Sequence, residues 1–109
     1  MIQYEEFSKI DVRIGKIVKA ERIENAKYTT HRIIIDFGEK IGQKQSCARL
    51  INYSTEELIG KNIIGILNFP PKQIGKNISE VLTLGVPDAE NECVLLSPDK
   101  EIPLGGKVY

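Results

Sequence analysis

Short segments rich in isoleucine and valine recur along this sequence, each bounded by glycine, proline or polar residues. The clearest is the Ile-Ile-Ile run at 33–35, which lies between Arg32 and Gly38. β-Branched side chains favour strands, and segments this short are more typical of strands than of helices. The pattern predicts strands at residues 12–20, 32–37, 43–50, 62–67, 80–86 and 93–96.

The first predicted strand is long, and its alternation of apolar and polar residues breaks at Gly15-Lys16. A glycine at such a break indicates a β-bulge or a sharp bend. A long first strand that bends near its middle is what a small closed barrel requires.

Two short helices are predicted beside the strands. The first covers residues 4–10, where Phe7 and Ile10 lie three apart on one side. The second begins at Ser54, three residues before Glu57, and this spacing predicts a capping box in a helix that ends at Gly60.

Loops account for most of the remaining sequence. The polar residues 24–30 and the acidic residues 87–92 are predicted loops. Two consecutive prolines cannot donate hydrogen bonds to a ladder, so residues 68–71 are predicted to form an irregular connection.

A helix between the third and fourth strands of an all-β chain is the layout of an oligonucleotide/oligosaccharide-binding (OB) fold. We therefore predict a five-stranded OB-fold barrel with a short N-terminal helix and a short helix between strands 3 and 4. Pattern alone leaves another small barrel, such as an SH3-like one, as the alternative. The 109 residues correspond to one domain spanning 1–109.

Composition points to a folded protein. Hydrophobic residues make up 41% of the chain, and 15 basic residues balance 15 acidic ones, unlike a disordered chain. No apolar run approaches the roughly 20 residues of a membrane span, and the acidic start Met-Ile-Gln-Tyr-Glu-Glu is unlike a secretory signal. We expect a cytoplasmic protein in which Cys47 and Cys93 are free thiols that pack as small hydrophobic residues.

Charge is distributed unevenly. Residues 12–79 contain twelve Lys or Arg and six Asp or Glu, whereas residues 80–106 contain one Lys and six acids. A basic face of this kind could attract an anionic partner, and the alternative is that the charges only solvate exposed surfaces. Aromatic residues are only 6% of the chain and tryptophan is absent, which argues against stacking on many unpaired bases.

The sequence shows no signature of catalysis. It has no glycine-rich phosphate loop, no nucleophile elbow and no cluster of metal ligands around His31, the single histidine. The acid pair Glu56-Glu57 is explained by its position at a helix start. We therefore predict a binding protein that is not an enzyme and uses no cofactor or metal.

Several motifs resemble a known family over nearly the whole chain. Residues 11–18 (Asp-Val-Arg-Ile-Gly-Lys-Ile-Val), residues 56–61 and residues 97–105 resemble the tRNA-binding-domain family, which includes the C-terminal domain of methionyl-tRNA synthetases. Residues 68–75 (Asn-Phe-Pro-Pro-Lys-Gln-Ile-Gly) and 78–82 are similar to its CsaA branch, described as export-related chaperones. The resemblance implies an OB-fold homodimer that binds unfolded or export-destined polypeptides, with the protein-export machinery as a further partner and with relatives that bind tRNA.

Two sets of site residues follow from this resemblance and from the chemistry of the residues. An apolar loop, exposed beside a dimer seam, would form a peptide-binding groove from Phe69, Pro70, Pro71, Ile74 and Ile78. The alternative is that Phe69 and Ile74 belong to the barrel core. A tRNA-binding face would use Arg13, Lys16, Lys44, Asn68, Lys72, Lys76 and Ser79.

The chain departs from the tRNA-binding branches at two positions of the motif. Gln73 and Gly75 stand where those branches usually carry basic residues. Each phosphate-contacting cation adds affinity through counterion release, so tRNA binding is predicted to be weak and salt-sensitive. The acidic stretch 88–92 and Glu101 are predicted to attract basic residues of a client polypeptide.

Overall fold

The computed structural model describes residues 1–24 and 27–109, and the described residues form two short helices and nine strands. None of the described helices is long and apolar enough to cross a membrane. In chain order the elements are α1 (Tyr4–Ser8), β1 (Val12–Arg22), β2 (His31–Asp36), β3 (Gln43–Ala48), α2 (Thr55–Leu58), β4 (Asn62–Ile66), β5 (Lys72–Ile74), β6 (Asn77–Ser79), β7 (Leu82–Thr83), β8 (Gly85–Pro87) and β9 (Cys93–Leu95).

Five antiparallel strands form the barrel sheet in the order β3-β2-β1-β4-β7. β1 is long enough to pair twice, with β4 through residues 12–16 and with β2 through residues 16–22. Because β1 passes from one partner strand to the other at Lys16, the sheet curves around the core. The predicted OB-fold barrel, with one short helix before it and another between strands 3 and 4, is confirmed.

The gap between β3 and β7 is closed by hydrogen bonds rather than by a continuous ladder. The Ser46 hydroxyl donates to the carbonyl oxygen of Val81 at 2.8 Å and accepts from the Thr83 hydroxyl at 2.8 Å. The Glu80 amide donates to the carbonyl oxygen of Gln45 at 2.8 Å. The barrel is therefore nearly closed although β7 has only two residues.

The bulge in β1 lies two residues beyond Lys16. The register shifts between Ile17 and Lys19, so the exposed Val18 is the extra residue, whereas Lys16, in the pair where a bulge or a sharp bend is predicted, is the point at which β1 passes from β4 to β2. The apolar pattern is irregular at Gly15 because both faces of β1 are covered there. Ile14 lies on the outer face, and its amide donates to the carbonyl oxygen of Gly106 at 3.0 Å.

Gly15 itself is explained by close packing inside the barrel. A Cβ atom at this position would lie 2.4 Å from Cγ2 of Ile35 and 2.8 Å from the ring of Phe37. The core side chains of Ile35 in β2 and of Phe37 just after it therefore occupy the space that any other residue at position 15 would need.

Other boundaries differ modestly from the prediction. The first helix ends at Ser8, β3 ends at Ala48, and the predicted strand 80–86 is divided into β7 and β8. The division reflects a change of partner, because β7 pairs with β4 and β8 pairs with β9. The predicted loop at 24–30 includes residues 25 and 26, which lie outside the described residues.

The core consists of side chains from β1, β2, α2, β4 and β9, together with three residues from the connections between elements. Its buried members are Ile17, Ile33, Ile35, Phe37, Leu50, Leu58, Ile63, Val81 and Leu95. Leu58 projects into the core from α2, whose predicted capping box is present: the Glu57 amide donates to Ser54 Oγ at 3.1 Å, and the Ser54 amide donates to Glu57 Oε1 at 3.0 Å. These hydrogen bonds hold the pKa of Glu57 below its usual value.

His31 is fully buried at the start of β2. Its Nδ1 lies 2.7 Å from the Thr30 hydroxyl, and that hydroxyl oxygen also accepts from the Leu50 amide at 2.8 Å. Nε2 has no hydrogen-bond partner within the described part of the chain. Burial, and then the charge of Arg22, lower the pKa of His31 below 6.5 because the protonated ring would be charged in an apolar setting.

We predict that the free energy of unfolding falls as the pH is lowered from about 7 to 5. The pKa of His31 is lower in the folded state, so the unfolded state binds more protons below pH 6.5 and is favoured there. The lowered pKa values of Glu21, Glu57 and Asp88 act chiefly near and below their reference values of 4.5, 4.5 and 3.8, so they contribute little in this window. Urea unfolding measured across the window should show the loss in the wild type and a flatter profile in His31→Gln. If the free energy of unfolding depended equally on pH in the two proteins, His31 would not be the group responsible.

Candidate binding groove

Two adjoining depressions form one groove on the outer side of the barrel. One has a volume of 360 Å³ and lies among Phe69, Pro70, β5, the end of β3 and residues 79–83. The other has a volume of 630 Å³ and lies between residues 23–24 and 27–29 on one side and the turn that joins β5 to β6 on the other. Tyr28, Thr29 and Ile74 line both, and we call the combined feature the Phe69 groove.

One wall of the Phe69 groove is the β5–β6 hairpin, which the sequence did not predict. Lys72 lies opposite Ser79, Gln73 opposite Ile78, and Ile74 opposite Asn77. Directly opposed residues of an antiparallel pair share a face. The first and third pairs therefore face the groove, whereas Gln73 and Ile78 lie on the other face of the hairpin.

Side-chain hydrogen bonds hold this hairpin against the barrel. Asn77 Oδ1 accepts from Arg32 at 2.5 Å. The Gln45 side-chain amide donates to the carbonyl oxygen of Ile78 at 2.9 Å, and the Cys47 amide donates to Ser79 Oγ at 3.0 Å. Arg32 is oriented in turn by an ion pair with Glu21. Hydrogen bonds from Lys19 and then from Arg32 lower the pKa of that glutamate. The wall is thus attached at three points to β2 and β3.

The opposite rim of the groove is apolar and open to solvent. Phe69 and Leu82 are each 50% exposed, and Pro70 lies beside them. Phe69 is therefore outside the core, which excludes the core alternative for this residue, while Ile74 is half-buried and lines the groove. The irregular connection predicted for 68–71 is confirmed, because no strand includes it.

The predicted peptide-binding residues fall into two groups. Phe69, Pro70 and Ile74 line the Phe69 groove. Pro71 is exposed next to them, and Ile78 is exposed on the far face of the hairpin.

The predicted tRNA-binding residues are more scattered. Lys72, Lys76 and Ser79 line the groove. Lys16 and Lys44 lie on β1 and β3 outside its lining.

The other two members of that set have local structural partners. Arg13 contacts Asp11 at 2.7 Å and donates to the carbonyl oxygen of Gly105 at 3.0 Å. The Asn68 side-chain amide donates to the carbonyl oxygen of Lys9 at 2.7 Å, and its oxygen accepts from the Asp11 amide at 2.9 Å. These bonds attach the chain after α1 to the end of β4.

Tyr28 and Arg49 are groove residues that sequence reasoning missed. The Tyr28 ring is 69% exposed, and the Arg49 guanidinium lies 4.9 Å from its centroid. Arg49 also donates to the carbonyl oxygen of Tyr28 at 3.0 Å and binds both carboxylate oxygens of Glu92 at 2.9 Å. The hydrogen bond to Glu92 raises the pKa of Arg49. No local motif signals this contact, because the two residues lie 21 positions apart.

The acidic loop is hydrogen-bonded largely within itself. Asp88 Oδ1 accepts from the amides of Glu90 and Glu92, both at 2.9 Å, and the Asn52 side-chain amide donates to Asp88 Oδ2 at 2.9 Å. These bonds, led by that from the Glu92 amide, lower the pKa of Asp88. Glu92 is paired with Arg49, so one of the negative charges predicted to attract a basic client is neutralised within the protein.

Both cysteines are free thiols. Cys47 is buried beneath the groove and Cys93 is half-buried, and burial raises the pKa of each thiol. The described residues contain no group of three acidic, histidine or cysteine side chains arranged to hold a metal ion.

Comparison with known proteins agrees with this architecture. A family model described as a putative tRNA binding domain matches residues 12–107. The solved structure of the CsaA chaperone protein from Picrophilus torridus is 45% identical with a TM-score of 0.92, and all of each chain is covered. That of the chaperone CsaA from Bacillus anthracis is 43% identical with a TM-score of 0.91, covering 100% of this chain and 99% of the other.

A longer relative shares the same domain. The methionine–tRNA ligase of Methanococcus vannielii is 36% identical over 110 residues, which cover all of this chain but only 16% of the ligase. The match with the family model extends over most of the chain, and the two CsaA structures match it from end to end. The chain therefore belongs to the tRNA-binding domain family and is a CsaA-type member of it.

Proposed function

We propose that this protein is a non-catalytic chaperone that binds unfolded or export-destined polypeptides in the Phe69 groove. The observation that carries the proposal is the pair of half-exposed apolar side chains, Phe69 and Leu82, beside the open depression that Ile74 also lines. Exposed apolar surface rimmed by polar groups marks sites where partners bind.

The local backbone suits this role. Pro70 and Pro71 restrict the connection next to Phe69, and the hairpin wall is attached to the barrel at three points. A groove that is already formed loses little conformational entropy when it binds a chain. The similarity to two CsaA chaperones supports the same function.

Phe69→Ser is expected to weaken the suppression of client aggregation, so that about tenfold more protein is needed for the same effect. The measurement is light scattering of a heat-denatured client. Ile59→Ser is the matched control, because Ile59 is 52% exposed and lies outside the groove lining. Circular dichroism should first show that both variants are folded. Equal suppression by the two variants would remove the groove as the client site.

A second function, tRNA binding, is favoured by a separate observation. The matched family is a tRNA-binding domain, and three lysines, Lys27, Lys72 and Lys76, line the same groove. Lysines at the edge of a groove can neutralise the phosphates of a nucleic acid strand. We propose that this binding is weak and directed at the RNA backbone rather than at bases.

Replacing both Lys72 and Lys76 by alanine should make tRNA binding less dependent on salt. Each lost phosphate contact lowers the slope of log affinity against log salt concentration, and two contacts lower it by about 1.5 to 2. Filter binding between 50 and 200 mM salt measures the slope. The exposed Lys40 and Lys100, changed together to alanine, are the control pair. If the control pair reduces the slope as much as the groove pair, the groove lysines have no special part in RNA binding.

We also propose that the protein acts as a twofold homodimer. A second depression, of 440 Å³, is lined mainly by apolar side chains, among them Ile14, Ile102, Pro103, Val108 and Tyr109. We call it the terminal patch. A twofold dimer would cover the patch on both copies and present two Phe69 grooves to one client chain.

Ile102→Asp should shift the protein from dimer to monomer, because a charge would be buried in the apolar seam without a partner. Sedimentation equilibrium at micromolar concentration measures the mass. Ile59→Asp, an exposed position outside the terminal patch, should keep the wild-type mass. A wild-type protein that sediments as a monomer would contradict the dimer.

A further inference from the structure

The outer edge of the β5–β6 hairpin carries one residue whose backbone is not used by the fold. The two strands are joined by Gly75-Lys76, and Gly75 has φ +59°. A two-residue turn with glycine first makes the flanking residues, Ile74 and Asn77, a hydrogen-bonded pair. In the alternating pattern of an antiparallel ladder, the next pair, Gln73 and Ile78, exchanges no hydrogen bonds.

An independent contact supports this assignment. The Ile78 carbonyl oxygen points away from β5, because it accepts from the Gln45 side-chain amide at 2.9 Å. The backbone N–H and C=O of Gln73 therefore point away from β6, toward the outer edge of β5. Within the described residues these two groups have no partner, and Gln73 is exposed.

The groove continues along this edge. Lys72 and Ile74, the neighbours of Gln73 in β5, both line the Phe69 groove. In a strand added beside β5, the residue opposite Gln73 would lie on the outer face with it, and its two neighbours would point into the groove. The groove side chains and the backbone edge could therefore bind the same extended segment.

Charge also favours a particular segment. Lys72 and Lys76 lie at the two ends of the edge, and Lys27 and Glu24 line the same depression as Lys76, which leaves a net positive charge there. Glu80 on the same wall already accepts from the Gln45 amide at 3.0 Å. An acidic client residue beside the two that point into the groove would thus be attracted to Lys72 or Lys76 at the ends of the edge.

We propose that the client polypeptide binds by strand addition: an extended segment with apolar residues at alternate positions and an acidic flank pairs with the backbone of Gln73 at the free edge of β5. This inference rests on the proposed function and specifies how the groove holds its client. Backbone hydrogen bonds do not depend on client sequence, while the alternate side chains supply the preference. Pro71 has no N–H, so pairing is limited to the short stretch around Gln73.

Gln73→Pro tests the proposal without disturbing the hairpin. Proline is tolerated on an edge strand where its N–H would face outward, and the preceding Lys72 is already extended in β5. Gln73→Ala is the matched control, because it keeps the N–H and, like proline, removes the side-chain bond from Gln73 to the carbonyl oxygen of Gly75. Circular dichroism and thermal melting should show both variants folded.

The probe is a fluorescein-labelled ten-residue peptide of alternating valine and threonine with a glutamate at each end. Fluorescence anisotropy should show that Gln73→Pro binds it at least tenfold more weakly than Gln73→Ala does. The same peptide with N-methylated central residues, which cannot donate hydrogen bonds, should bind the wild type at least tenfold more weakly. Hydrogen exchange at the Gln73 amide should slow when the unmodified peptide is bound.

The outcomes separate this proposal from the proposed function. If Phe69→Ser weakens probe binding but Gln73→Pro and Gln73→Ala bind equally, the groove binds polypeptide and strand addition is overturned. The same follows if the Gln73 amide exchanges at its free rate in the complex. If the wild type does not bind the probe at all, both the polypeptide function and strand addition fail.

Discussion

Hydrogen bonds to the edge of β3 that faces away from β2 close the barrel and position one wall of the groove. Residues 79–83 are too irregular to form a full ladder with β3, yet they bond to it through Ser79, the Glu80 backbone and Val81. Ser46 is buried and fully bonded, as donor to Val81 and acceptor from Thr83. Each such bond contributes about 1 kcal/mol net, but leaving one buried partner unpaired costs about 1–3 kcal/mol. The same contacts that close the barrel therefore fix the position of the hairpin wall.

This arrangement also explains where open strand edges occur. An exposed edge of β3 would be a long template for association with other chains, and residues 79–83 cover it. The covering segment ends in a hairpin whose own outer edge is only three residues long and follows two prolines. This unpaired stretch of backbone is short and lies beside the apolar Phe69 groove.

The elements that could be predicted are those decided by nearby residues. The apolar alternation through Ile33 and Ile35 predicts a strand without reference to the rest of the chain. The Ser54 capping box involves only four consecutive residues. The break in the apolar pattern near Gly15 instead reflects a distant segment, because residues 105–108 hydrogen-bond to Val12 and Ile14 and cover the outer face of β1 there. The β5–β6 hairpin has three-residue strands, and its position depends on Arg32, Gln45 and Cys47. Short hairpins of this kind have little stability alone, so local patterns do not reveal them.

Within the groove, the residues that depart from the tRNA-binding branches are the ones that shape the hairpin. Gly75 adopts φ +59°, a conformation that costs an L-residue about 1 kcal/mol or more. A basic residue at this position would add charge but would strain the tight turn that orients the pairs of β5 and β6. Gln73 places a neutral side chain on the far face and donates from it to the carbonyl oxygen of Gly75 at 2.6 Å, while the alternation of the ladder directs its backbone outward. Gln73 and Gly75 therefore add no positive charge to the hairpin wall, and Gly75 permits the sharp turn between β5 and β6.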